Sequence, residues 1–179
     1  MADPSLPFYG YVFGFIKDGL MQATTGLPPE AWWLPAVVLL ILGAAALIDS
    51  FTSNVPDPLI FLGLLAVTAM QGLYVSWPFA AQHLMLALAA AITIWAINQA
   101  WYYGFRHDAL GMGDAKWTML AVSCFDIKPV LVAWGLGAIL ALVWMGVMKI
   151  ARCEITRVYF APFLFIGLLA GIYWLRLKA

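Results

Sequence analysis

From Trp32 to Ile48 the chain reads WWLPAVVLLILGAAALI, 17 residues without a charge. An α-helix rises ~1.5 Å per residue, so a run of this length approaches the ~30 Å hydrocarbon thickness of a bilayer. Comparable runs extend from Leu59 to about Tyr74, from about Ala80 to Tyr103, from Pro129 to about Met148 and from about Tyr159 to Leu175. In hydrocarbon every backbone N–H and C=O must be satisfied internally, which leaves helices or closed barrels. These runs are continuous rather than alternating, so they read as helices. Of 179 residues, 65% are hydrophobic and only 10% charged, whereas soluble domains run near a quarter charged. The expectation is an all-α, polytopic membrane bundle.

One further segment, AKWTMLAVSCF (115–125), is apolar but too short to cross unaided. Counting it gives about six transmembrane helices. The N-terminal FYGYVFGFIKDGLM is aromatic and is interrupted by Lys17 and Asp18. It lacks the basic start and small-residue cleavage site of a signal peptide and reads as a helix at the membrane interface, with a short first transmembrane pass as the alternative. The organisation is therefore an interfacial segment over residues 1–31 and a membrane-embedded domain over 32–179.

Nine basic residues balance nine acidic ones, so no basic patch points to nucleic acid. Cys124 and Cys153 lie far apart, without a CxxC motif, and read as a packed thiol and a loop bystander. His83, beside an uncharged turn, and His107 are the two histidines. Together these residues offer no metal cluster and call for no cofactor. If every span crosses, the loops after spans one, three and five share a side and carry Arg106, Lys116, Lys149, Arg152 and Arg157. Lys17, Lys128, Arg176 and Lys178 fall opposite. The dense Lys149–Arg157 loop puts the first face in the cytoplasm.

Asp49, Asp57, Asp108 and Asp114 all fall on that cytoplasmic face. Asp57, followed by Pro58, reads as an N-cap with proline at the first helical position. Asp108, beside Arg106 and His107, reads as a solvated loop charge. Asp49 ends a helix, where its charge opposes the helix dipole, and neither capping nor propensity explains it. Asp114 opens a helix behind Gly111 and Gly113, so an N-cap role is open to it. The two glycines permit positive φ and close approach of another chain to the carboxylate. Lys116 reads as a lysine snorkelling to the interface. GMGDAK is not a phosphate loop, because the GxxxxGK[ST] spacing is absent.

Two carboxylates brought together share a proton and activate water, one polarising a peptide carbonyl while the other accepts a proton. Helix ends suggest Asp114 as the resting base and Asp49 as the resting acid.

Three stretches carry a resemblance: IDSFTSNVPDPL (48–59), GMGDAK (111–116) and VYFAPFLFIGLLAG (158–171). Over about Leu34 to Leu175 the chain resembles the type IV prepilin peptidases and their archaeal preflagellin relatives, membrane aspartyl proteases of the GxGD type. Tyr159 and Ala161 stand where that family usually has proline and glycine in its PFGP run. Larger members carry an N-methyltransferase region with paired CxxC motifs, so this chain looks like the short, peptidase-only form, of the kind that serves tight-adherence or Flp-type pili or related secretion and competence systems. The resemblance implies cleavage of a basic prepilin leader at the cytoplasmic face of the inner membrane. It makes Asp49 and Asp114 the catalytic pair and Gly111 and Gly113 a flexible substrate-binding segment. Lys116 carries over as a motif residue; because such leaders are basic, the acidic Asp57 and Asp108 stand ready to attract one by charge. The implied partners are a prepilin or pseudopilin helix and membrane lipid, with the oligomeric state left open.

Presenilin-type enzymes share GxGD but pair it with YD and PAL motifs, whereas here Ile48 precedes Asp49 and no PAL occurs. A non-catalytic assembly factor and a small proton-coupled transporter remain open. A transporter places its acids near the midplane, whereas these lie at one interface. Asn98 and Gln99, near the same end, read as helix–helix hydrogen-bonding groups or as a polar pocket.

Overall fold

The computed structural model describes residues 8–24, 27–52, 54–106, 111–151 and 159–178. His107, Asp108, Arg152, Cys153 and Arg157 lie outside the described residues. Seven α-helices follow in order: α1 (Phe8–Ala23), α2 (Trp33–Thr52), α3 (Asp57–Tyr74), α4 (Trp77–Phe105), α5 (Met112–Cys124), α6 (Ile127–Ile150) and α7 (Ala161–Lys178). A 3₁₀ turn, Pro29–Ala31, leads into α2. Among the described residues there is no strand. Prolines sit in the first turns, where a missing N–H leaves no bond unmade: Pro58 in α3, Pro78 in α4, Pro129 in α6 and Pro162 in α7.

Four stretches are long and apolar enough to cross a membrane: Pro29–Thr52, Asp57–Tyr74, Trp77–Phe105 and Ile127–Ile150. Their exposed faces carry large apolar side chains such as Leu62, Leu65, Ile92, Leu131 and Leu142, which suit hydrocarbon. The chain is an integral membrane protein with an all-α helical bundle. Of the other two expected spans, α7 has a slightly shorter apolar stretch, Ala161–Leu177. At 13 residues, α5 is only ~20 Å long and does not cross.

The helices from α2 onward alternate in direction. Trp33, at the start of α2, meets Tyr74, at the end of α3, with ring centroids 6.4 Å apart. Asp57 and Lys116, near the starts of α3 and α5, meet at the other end. The N-terminal segment is packed into this bundle. Leu20 and Ala23 of α1 are buried, the Asp126 N–H donates to the Ala23 carbonyl at 2.7 Å, and Arg176 pairs with Asp18 at 3.2 Å.

The short helix α5 is the hub. Asp114, Ala115 and every residue from Trp117 to Cys124 are buried. A helix surrounded by other helices has no solvent face to encode, so it lacks an amphipathic stripe. It is tied to its neighbours by side-chain hydrogen bonds. Trp117 Nε1 donates to the Leu42 carbonyl of α2 at 3.2 Å. Trp134 Nε1 of α6 donates to Thr118 Oγ1 at 3.1 Å. Gln71 Nε2 of α3 donates to the Ser123 carbonyl at 2.8 Å.

Helices α6 and α7 pack backbone to backbone. A Cβ on Gly167 would stand 2.6 Å from the Ala133 carbonyl oxygen, and one on Gly171 2.9 Å from the Pro129 oxygen. Small residues allow such close approach between membrane helices. Because the obstructing atoms are backbone, no side chain can swing aside. Gly167→Ala is therefore expected to force α6 and α7 apart and cost ~1–3 kcal/mol. Unfolding in detergent measures this, and unchanged stability would contradict the packing account.

Candidate active site

Asp49 lies near the C-terminal end of α2 and is buried. Sequence alone left its charge opposed by the dipole of its own helix. The fold supplies a different helix: the backbone N–H of Ala161, first residue of α7, donates to the Asp49 carboxylate. The carboxylate thus meets the positive end of α7 and a free N–H, as an N-capping group would. That correction arises because the partner lies in the third motif stretch, far along the chain.

Asp114 is not the N-cap of α5. The cap is Gly111, in an extended conformation (φ −74°, ψ 146°), and Asp114 occupies the third helical position. Its Oδ2 accepts from the Gly111 N–H at 3.1 Å, and its own N–H donates to the Gly111 carbonyl at 3.1 Å. This is the carboxylate half of a capping box, the other half being absent because glycine has no side chain. Neither glycine uses the positive φ open to it: Gly111 is extended and Gly113 is helical.

Close approach does occur at Gly113, from within the chain. A Cβ there would lie 2.8 Å from Val55 Cγ2 and 3.3 Å from Val55 Cβ. Val55 is fully buried, and its branch at Cβ leaves no flexible end to move. Alanine normally gains ~1 kcal/mol over glycine inside a helix, but overpacking costs ~1–3 kcal/mol. Gly113→Ala is expected to be net destabilising, whereas pairing it with Val55→Ala should recover the helix gain. A thermal unfolding series on the three variants checks this.

Burial pushes the Asp114 carboxyl up to about 7. The Gly111 N–H pulls the other way, and the negative charge of Asp49 adds to the rise. The helix-end argument, which made Asp114 easy to ionise, is outweighed by loss of water around the carboxylate. The same influence places Asp49 and Asp114 within electrostatic reach of each other, although 65 positions separate them in sequence. Among the described residues, no group of three or more His, Cys, Asp or Glu is placed to hold a metal.

Asp57 and Lys116 find each other. Pro56 is the N-cap of α3, Asp57 is its first residue, and no side chain caps that helix. The Asp57 carboxylate instead accepts from Lys116 Nζ. Both sequence expectations for this pair, a capping aspartate and a snorkelling lysine, give way to one ion pair between α3 and α5. Asn98 and Gln99 are half-buried toward the C-terminal end of α4. Sequence inspection did not single out Gln71, Thr118, Trp117 or Trp134, which seat α5. For Gln71 the signal was present, since an uncharged polar residue inside an apolar span ordinarily bonds to another helix.

The fold and the site together define an integral membrane helical bundle that buries two carboxylates, Asp49 and Asp114, within electrostatic reach of each other. No family model matches the chain, and no solved structure matches it significantly. A curated protein that does match is the prepilin leader peptidase/N-methyltransferase of Pectobacterium carotovorum subsp. carotovorum. It is 29% identical over 170 residues, which cover 90% of this chain and 57% of the relative. The chain thus spans little more than half the length of the curated relative it matches.

Proposed function

We propose that this chain is a membrane aspartyl endopeptidase that removes the leader of prepilin-like substrates. The observation that carries the proposal is the burial of Asp49 and Asp114 within electrostatic reach of each other at one end of the bundle. An isolated ionisable group in such a chain is costly, and two of like charge more so, unless they share a proton. Sharing suits water activation: the ionised member takes a proton from water while the protonated one donates to the scissile carbonyl. No metal or cofactor enters this scheme. The titration belongs to the pair, so the acid and base exchange roles during turnover.

Two activities are joined in the relative's name, and peptidase is the one that a carboxylate pair supports. The active end faces the cytoplasm of an inner membrane, and the substrate's apolar helix lies in the lipid alongside. The test is cleavage of candidate prepilins by the purified protein in detergent or liposomes, with Asp49→Asn and Asp114→Asn as controls. Loss of a leader-sized fragment from the substrate, dependent on both aspartates, is the expected result. Cleavage that survives either substitution would refute the dyad.

A further inference from the structure

The first turns of α5 carry Asp114, yet they begin at a glycine with no side chain to anchor. Gly111 and Met112 are exposed. Deeper along the helix, Trp117 is bonded to α2 and Thr118 to α6. At the first turns, contact comes from the segment that leads into α3. Val55 lies against Gly113 on one side of Asp114 in sequence, and Asp57 binds Lys116 on the other. The two contacts bracket the buried carboxylate.

We propose that Lys116 and Asp57 form a positioning pair. With Val55 seated on Gly113, their ion pair holds the first turns of α5 so that Asp114 stays buried beside Asp49. Asp57 is more than half exposed and Lys116 about a quarter exposed. A pair this open adds little to global stability. Its effect is geometric, because a catalytic group displaced by ~1 Å can lose ~10²-fold in rate. Asp114 faces inward, while Lys116 reaches sideways to α3. Neither partner touches the reacting atoms in this assignment.

Two measurements test it, and only the second rests on the peptidase reading. The first uses an Asp114→Cys variant in a Cys153→Ser background, with the alkylation rate by N-ethylmaleimide as readout. Cys124 is 1% exposed and serves as the buried control. With the pair intact, alkylation should be slow. Adding Lys116→Met or Asp57→Asn should raise the rate about tenfold through local opening. The exchanged pair, Lys116→Asp with Asp57→Lys, should restore protection. Rates within about twofold of the intact pair in both single variants would overturn the proposal. If a variant fails to fold by circular dichroism, Lys116→Gln and Asp57→Ser, which also remove the charge, replace it under the same criterion.

The second measurement is steady-state cleavage with Asp49 and Asp114 in place. Each single variant should lower kcat about tenfold with KM unchanged, the double neutral variant should do no worse than either single, and the exchanged pair should recover. A rise in KM alone would make the two residues substrate contacts and overturn the positioning role. If the wild-type protein cleaves no prepilin, the peptidase reading falls, and the alkylation series still decides the pair.

Discussion

Replacement of either Asp49 or Asp114 by asparagine is expected to lower prepilin cleavage by roughly 10³-fold or more, with the bundle intact. Asparagine keeps the shape of the side chain and an oxygen acceptor. The Ala161 N–H retains a partner at position 49, and the Gly111 N–H retains one at position 114. What asparagine lacks is a proton that can be gained and lost, so a fall in rate would report chemistry rather than packing. Helical content and gel-filtration profile should match the parent protein, and neither variant should unfold more readily than the parent near neutral pH. The double variant should be no slower than either single one, because the two groups act as a unit. Asp57→Asn gives the contrast: both buried carboxylates remain, so the loss should be about tenfold rather than complete. Turnover within about tenfold of the parent in Asp49→Asn or Asp114→Asn would remove the aspartyl mechanism.

The helical architecture was legible because bilayer physics writes it in long uncharged runs, and a run such as Trp32–Ile48 has few other readings. Asp49 and Asp114 stood out for the same reason, as charges that an oily chain must account for. What remained hidden was the identity of each partner. Local rules offered Asp57 its own helix N-terminus and Lys116 the nearest interface, since neighbours in sequence are all such rules can use. The fold instead joined the two residues across 59 positions. Asp49 appeared unfavourable beside its own helix end because the start of α7, which receives it, lies more than a hundred residues away. Helix α5 was hardest to read. Its 13 residues are too few for a span, and its burial on all sides removes the periodic stripe that marks an amphipathic helix. The glycines illustrate a different limit. Their lack of a Cβ was readable, but whether that space served a substrate or the chain's own Val55 was a tertiary fact.

The other large effect is on stability against pH, and Asp114 sets its sign. An ordinary aspartate titrates near 3.8, and burial moves this one to about 7. A raised value in the fold means that the protonated form is the one the folded bundle favours. The contribution is therefore fully present below about pH 4 and is lost as pH rises through about 7. The gap between those two values sets a ceiling of about 4 kcal/mol. Water penetration and relaxation around the carboxylate bring the expected effect nearer to ~2 kcal/mol. Asp114→Asn keeps the hydrogen-bond acceptor for Gly111 and has no charge to bury. Its stability relative to the parent protein should therefore rise between pH 4 and pH 8, by an amount on the order of 2 kcal/mol. Unfolding in mixed micelles at closely spaced pH values reads this difference directly, and the other titrating groups largely cancel between the two proteins. A difference that stays flat across that range would mean Asp114 is ionised throughout, stabilised by a contact stronger than its Gly111 hydrogen bond. An Asp114 protonated near neutrality gives the pair the single shared proton that water activation requires, so the stability profile and the rate profile should turn over in the same pH window.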